Sequence, residues 1–292
     1  MDTLIIEKKN EVYITVDCDP NVQREISEFF TFYVPGYKFM PAFRNRMWDG
    51  KIRLYSQKTK EIYFGLFPYI RAFAEERGYH IVAGKDVEID NKVDKEVVTK
   101  FSNSLGQKFE ARDYQIDAIY HSLKFNRALL LSPTASGKSF IIYSLIRYYS
   151  HLIKDNPNNR ILLIVPTTSL VEQMYSDFQS YGWNVKKNCH RLYSGYSNQT
   201  NKKVLISTWQ SLYKLPKKYF EQFGCVFGDE AHLFKSKSLT EIMTKLVDCK
   251  YRIGLTGTLD GAQTHKLVLE GLFGAVNKVT STRKLMDKKQ LS

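Results

Sequence analysis

The sequence predicts an α/β fold: a parallel sheet flanked by helices, preceded by a smaller α+β unit. Three observations carry that prediction. From residue 109 onward, short apolar runs alternate with stretches of helical spacing, the pattern of doubly covered parallel strands joined by helices. The stretch Ser132-Pro133-Thr134-Ala135-Ser136-Gly137-Lys138-Ser139 lies between the apolar run Ala128–Leu131 and the helix-like run Phe140–Ile146, giving strand, Gly-Lys-Ser loop and helix in succession. Residues 1–90 lack this alternation and mix period-two segments with helical ones.

Along the chain, Glu11–Asp17 alternates like a half-buried strand, and Val22–Phe32 has helical spacing through Val22, Ile26, Phe29 and Phe30. Lys51–Tyr55 alternates again, and Phe67–Gly78 reads as a helix ended by its glycine. Residues 91–108 are polar and weakly patterned, which predicts a connecting helix and linker. The strands expected beyond them are Ala128–Leu131, Ile161–Val165, Val204–Ile206, Cys225–Phe227 and Ile253–Leu255, with helices at Thr167–Tyr181 and Ser238–Val247. The expected domains are 1–90, a small α+β nucleic-acid-binding unit; 91–108, a linker; 109–280, a nucleotide-binding unit; and 281–292, the start of a further linker. No internal repeat or low-complexity tract is present.

The 292 residues carry a formal charge of +13, which points to a polyanionic partner. Nucleic acid is favoured over an anionic membrane surface, because no basic amphipathic helix with an apolar face stands out. A membrane partner is not expected: no apolar run approaches the ~18 residues needed for a span. The N-terminus lacks the basic start and long apolar stretch of a signal peptide. The four cysteines are scattered without a Cys-x-x-Cys pair, which argues against a zinc site or disulfide framework and suits the reducing cytoplasm.

The 132–139 loop carries the first chemistry. The loop Pro133-Thr134-Ala135-Ser136-Gly137-Lys138-Ser139 is the expected nucleotide cradle, in which backbone N–H groups and the following helix start bind phosphates. Lys138 would reach the β and γ phosphates of ATP, and the Ser139 hydroxyl would sit on Mg²⁺. Ser132 stands where such loops usually have a first glycine. Downstream, Cys225-Val226-Phe227-Gly228 leads into Asp229-Glu230-Ala231-His232. Asp229 would hold Mg²⁺ through its water shell, and Glu230 would orient and deprotonate the attacking water. The alternative is a polar loop following a strand. Both motifs fall at C-terminal strand ends, where open α/β sheets place ligands.

Asp-Glu-Ala-His together with Gly-Lys-Ser resembles the first, RecA-like motor domain of superfamily 2 (DEAH-box-type) helicases. The resemblance extends over about 109–275 in six motifs. Arg112-Asp113-Tyr114-Gln115 is similar to the adenine-reading element, in which Gln115 would read the base edge and Arg112 support it. Val165-Pro166-Thr167-Thr168 and Ser207-Thr208-Trp209-Gln210 are similar to the elements that grip a nucleic-acid strand, which implicates Pro166, Thr167, Thr168, Thr208 and Trp209. Leu255-Thr256-Gly257-Thr258 resembles the element coupling nucleotide site to strand path, and His232 within Asp-Glu-Ala-His would share a coupling role. Each has a plainer alternative: a helix-surface glutamine, a threonine helix cap, a turn, a structural histidine.

The segment Gly36–Tyr55 is basic and aromatic. Between residues 36 and 60 there are seven Lys or Arg and one Asp, whereas residues 1–90 together hold 13 basic and 14 acidic residues, so the charge is focused. Lys38, Arg44, Arg46, Lys51 and Arg53 would neutralise phosphates, and Trp48, Phe43 and Tyr37 would stack on bases. The alternative is a hairpin whose aromatics are core, with Phe39, Met40 and Leu54 at its centre. This segment with Phe64-Gly65-Leu66, together with Gln222-Phe223-Gly224 and Gly271-Leu272-Phe273-Gly274, is similar to the UvsW helicase family of tailed bacteriophages. That resemblance implies an ATP-driven DNA helicase acting on branched or forked DNA, recombination or stalled-fork intermediates and the RNA–DNA hybrid of R-loops, in the host cytoplasm.

Motors of this kind use two RecA-like domains, and the second supplies an arginine finger worth ~10³–10⁵ in rate. The motor motifs end soon after Gly274, and Arg283–Asp287 reads as the start of an inter-domain linker. The expectation is a monomer that lacks its second RecA-like domain, binds ATP weakly, hydrolyses it poorly and does not unwind alone. An RNA helicase, a restriction-type translocase motor and a non-catalytic ATP-responsive DNA clamp remain as alternatives.

Overall fold

The computed structural model describes residues 2–234, 236–259 and 261–288. Contacts divide the chain into two units: residues 1–89 with 260–272, and residues 90–259 with 273–292.

In the first unit, β1 (Thr3–Lys8), β2 (Tyr13–Asp17), β3 (Thr31–Tyr33), β4 (Lys51–Arg53), β5 (Glu61–Tyr63) and β6 (His80–Ala83) form a four-stranded sheet in the order β5-β2-β1-β6 and the separate pair β3-β4. β1 runs antiparallel to β2 and parallel to β6. Alternation sends Leu4, Ile6, Ile14 and Val16 inward, and helix Pro20–Phe29 buries Val22 and Ile26. That helix starts where Asp19 accepts a hydrogen bond from the Asn21 N–H at 2.9 Å and Pro20 fixes the first turn. Helix Phe67–Arg77 stops at Gly78, whose φ of 67° is the left-handed cap expected from its position.

Helix Gln263–Leu272 groups with this unit, although the sequence assigns 109–280 wholly to the other. Its backbone lies against the turn Phe64–Leu66: a Cβ on Gly65 would stand 2.0 Å from the Glu270 carbonyl oxygen. Glu270 is buried and accepts a hydrogen bond from the Tyr69 hydroxyl at 2.8 Å.

The second unit is built on β7 (Arg127–Leu131), β8 (Arg160–Val165), β9 (Cys189–Leu192), β10 (Val204–Thr208), β11 (Phe223–Gly228), β12 (Tyr251–Thr256) and β13 (Val276–Lys278). Among the described residues these make a seven-stranded sheet, β13-β7-β12-β11-β8-β10-β9, with every pairing parallel. The RecA-like parallel sheet flanked by helices is thus present. The five expected strands form its interior because both faces are buried and the sequence runs are continuously apolar. β9 and β13 are additional edge strands, too polar to announce themselves. Helix Lys95–Asn103 belongs to this unit and buries Val98 in its core, so 91–108 is more than a connector. The part of the linker expected at 289–292 lies outside the described residues.

Register positions the site. Leu131 pairs with Thr256, and Gly228 with Ile164 and Gly254, so the segments after β7, β11 and β12 leave one edge of the sheet together. The Ser132 N–H donates to the Thr256 carbonyl and the Asp229 N–H to the Ile164 carbonyl, each at 2.9 Å. No described helix is long and apolar enough to cross a membrane.

Candidate functional site

The 132–139 loop is wired before any ligand enters. Ser132 and Ser136 are fully buried and share a hydrogen bond between hydroxyls at 2.6 Å. Ser132 therefore does more than replace a glycine: it braces the base of the loop. Ala135 (φ 65°) and Gly137 (φ 78°) take the left-handed turns that curl the loop, and Gly137 caps helix Lys138–Leu152. Pro133 is half-buried, and Thr134 and Ala135 stand exposed at the tip. Gln115 is buried beneath. Its Nε2 donates to the Ser136 and Gly137 carbonyls at 3.2 and 3.4 Å, and its Oε1 accepts from the Arg112 N–H at 2.9 Å. The Arg112 guanidinium donates to the Tyr114 hydroxyl at 2.7 Å.

Lys138 and Glu230 form an ion pair between the loop and the acidic motif, with side chains 13 % and 23 % exposed. Asp229 is buried beside them. Burial pushes its carboxyl up to about 6, while the Lys138 charge pulls it back. Glu230 takes a left-handed φ of 48°, strain of the kind that collects at working sites, and its N–H donates to Asp229 Oδ1 at 2.9 Å. His232 Nδ1 is 3.6 Å from Glu230 Oε2 and 2.7 Å from Thr256 Oγ1. The Thr256 hydroxyl also donates to the Thr258 carbonyl at 2.7 Å. One hydroxyl carries one proton, so His232 donates from Nδ1 to Thr256. Lys138, Glu230, His232, Thr256 and Thr258 are thereby linked in one chain of contacts.

These residues fit a magnesium nucleotide. A buried carboxylate whose charge is disfavoured by its surroundings is what a divalent cation would offset, and the helix start with Lys138 suits phosphate. When bound, Mg²⁺ would neutralise phosphate charge beside Asp229. Ser139, the other expected ligand, shares a hydrogen bond with the Tyr181 hydroxyl at 2.7 Å and also interacts with the Asp177 carboxylate. Sequence reading missed Tyr181 and Asp177, which come from the far end of helix Thr168–Ser180 and carry no local signal.

Pro166 is buried at the end of β8, and exposed Thr167 caps helix Thr168–Ser180 by accepting the Leu170 N–H at 3.3 Å. Exposed Thr168 begins that helix. Thr208 is buried with its hydroxyl on Ser211 at 3.0 Å, and half-buried Trp209 lies against Tyr213.

In the first unit, the basic segment is mostly surface. Lys38, Arg44, Arg46 and Arg53 are exposed, and Lys51 lies 5.0 Å over the Tyr33 ring. Arg53 pairs with Asp49 at 2.5 Å in the open. Trp48 donates its indole N–H to the Lys51 carbonyl at 2.9 Å. The aromatics divide unexpectedly. Tyr37 and Phe43, expected to stack on bases, pack edge to face at 4.8 Å, and Gly50 (φ 80°) lets the Tyr37 ring lie on the chain. Phe39, expected to be core under the plainer alternative, is 85 % exposed, and Met40 is at the surface too; only Leu54 is buried.

Two family descriptions match: "Type III restriction enzyme, res subunit" over residues 108–261, and "DNA helicase UvsW, N-terminal" over 6–84. The ATP-dependent DNA helicase uvsW of Enterobacteria phage T4 is 34 % identical over 96 % of this chain and 57 % of its own length. The crystal structure of the UvsW helicase from bacteriophage T4 superposes with a TM-score of 0.85 at 32 % identity, covering 95 % of this chain and 100 % of that one. The chain belongs to the UvsW-like helicases. A DNA 3′-5′ translocase, XPB2 of Sulfurisphaera tokodaii, is 26 % identical over 52 % of this chain and 31 % of its own length. The chain spans 57 % of the phage T4 relative and less of the archaeal one.

The UvsW-like glycines now have physical reasons. A Cβ on Gly224 would stand 2.3 Å from the Asn158 carbonyl oxygen, and one on Gly274 2.6 Å from the Arg127 carbonyl carbon. Gly271 lies against Tyr63, where a Cβ would approach to 2.8 Å. Close backbone approach, not turn-making, fixes these positions.

Proposed function

We propose that this UvsW-like chain serves an ATP-dependent DNA helicase acting on branched or forked DNA, recombination or stalled-fork intermediates and the RNA–DNA hybrid of R-loops. ATP with Mg²⁺ would bind at Pro133–Ser139, with Arg112 and Gln115 at the adenine and Ser139 and Asp229 toward the cation. Lys138 leaves Glu230 when it takes a phosphate charge, and Glu230 is then available to orient water. His232, Thr256 and Thr258 would carry that change toward the strand path at Pro166, Thr167, Thr168, Thr208 and Trp209. Lys38, Arg44, Arg46, Trp48, Lys51 and Arg53 would hold DNA on the first unit.

The observation that supports this reading best is the contact of Lys138 with Glu230 beside buried Asp229, which brings two motifs distant in sequence to one spot. The test is ATP turnover with forked DNA, closed circular duplex DNA or duplex RNA. Forked DNA should stimulate turnover most, and Lys138→Ala should abolish it. Stimulation by RNA alone would move the protein to the RNA helicases. Tight ATP binding without DNA-stimulated turnover would make it a clamp.

A further inference from the structure

Two apolar side chains in the basic segment stand out. Phe39 is 85 % exposed and Met47 81 %, whereas no other large apolar side chain among the described residues exceeds 57 %. Neither sits on a loose loop. The Phe39 N–H donates to the Gly36 carbonyl at 3.0 Å and the Met47 N–H to the Ala42 carbonyl at 2.8 Å. The turn between them is backed by the Tyr37–Phe43 ring pair and by the Trp48 hydrogen bond to Lys51. Cations flank both: Lys38 adjoins Phe39, and Lys38, Arg44 and Arg46 line a hollow of about 610 Å³ with Phe43, Met47, Trp48 and Asp49, the last of which is paired with Arg53.

Apolar groups held in water amid net positive charge match a ligand that offers phosphates and an apolar face together. Nucleic acid does so where its base stack is open. Inside continuous duplex the base faces are covered, and reaching them requires unstacking. At a branch point the last base pair is already uncovered.

We propose that Phe39 and Met47 form a wedge that packs on the open base pair at a DNA branch, while Lys38, Arg44 and Arg46 hold the adjoining phosphates. The wedge rests on the reading of this segment as a DNA surface, and it supplies a means of telling branched from continuous duplex.

Binding of the full chain to forked DNA and to relaxed closed circular duplex, which has no ends, tests it. Combining Phe39→Ala with Met47→Ala should weaken forked-DNA binding about tenfold, in the range of one lost stacked base. Circular-duplex affinity and the salt dependence on both DNAs should stay as in the parent. Phe39→Tyr should keep forked-DNA affinity. Equal loss on both DNAs, or no loss on the fork, overturns the wedge. Arg44→Gln, Arg46→Gln and Lys51→Gln together separate the two levels. If they flatten the salt dependence while the apolar variant leaves the fork unaffected, only the wedge fails. If they leave it unchanged, the DNA surface fails with it.

Discussion

The loop at 132–139 and the segment at 36–55 both present themselves to phosphate, and they are built in opposite ways. In the loop, Ser132, Ser136 and Gln115 are buried and hydrogen-bonded, and the charged pair Lys138–Glu230 is largely shielded. In the segment, Lys38, Arg44 and Arg46 stand in solvent, and the Arg53–Asp49 pair is open to it. The first arrangement fixes geometry in advance, as chemistry on a triphosphate requires. The second offers charge without fixed partners, as binding to a long polyanion requires. A single substitution should therefore act locally and strongly in the first and weakly and additively in the second.

The largest expected effect falls on Glu230. Glu230→Gln keeps the shape and removes the base, so DNA-stimulated ATP turnover should drop about 10²–10⁴-fold with ATP binding retained. Turnover within tenfold of the parent would remove Glu230 from the role of base.

Next comes a pair of arginines in opposite surroundings. Arg252 is fully buried and donates to the Leu246 and Met243 carbonyls at 2.8 and 2.9 Å, holding the end of helix Ser236–Lys245. Arg252→Ala should destabilise the second unit by about 3–5 kcal/mol, since buried acceptors lose a charged donor and a cavity opens. Arg53→Ala should leave the melting temperature nearly unchanged, because the Arg53–Asp49 pair is about half exposed and screened by solvent. Equal shifts in melting temperature would erase the contrast between the regions.

The basic segment should show itself in salt instead. If it contacts about five phosphates, log affinity for DNA should fall against log salt with a slope near −4.5, and Arg44→Gln, Arg46→Gln and Lys51→Gln together should bring the slope to about −1.8. A binding isotherm series from low to moderate salt reads this directly.

What could be read in advance follows the same divide. Strand, loop and helix around Ser132–Ser139 are contiguous, so local pattern was enough to find them, and Asp229–Glu230 followed from an apolar run ending in acids. Edge strands β9 and β13 were illegible because Cys-His-Arg-Leu and Val-Asn-Lys bury too little to leave an apolar run. Helix Gln263–Leu272 was visible as an apolar pattern, but periodicity says that a face is buried, not against what. Its place beside Phe64–Leu66 depends on Gly65 permitting contact with Glu270. In the basic segment, composition revealed the charge and could not say which aromatics face water. Tyr37 and Phe43 consume each other, leaving Phe39 and Met47 outside.

The smallest expected effect is also the one that the sequence raised first, the serine where a glycine is usual. Ser132→Gly restores the common residue, yet it leaves the buried Ser136 hydroxyl without the partner 2.6 Å away. An orphaned buried hydroxyl costs about 1–3 kcal/mol, and glycine adds backbone entropy to the unfolded chain, so this variant should be less stable than the parent. Ser132→Ala alone should cost about 1–3 kcal/mol for the same orphan, and so should Ser136→Ala. Ser132→Ala combined with Ser136→Ala removes donor and acceptor together, and its cost should fall below the sum of the two single changes. Chemical denaturation of the four proteins closes this cycle. Additive losses would mean that the two hydroxyls do not depend on each other, and that the loop is braced by Gln115 and the backbone instead.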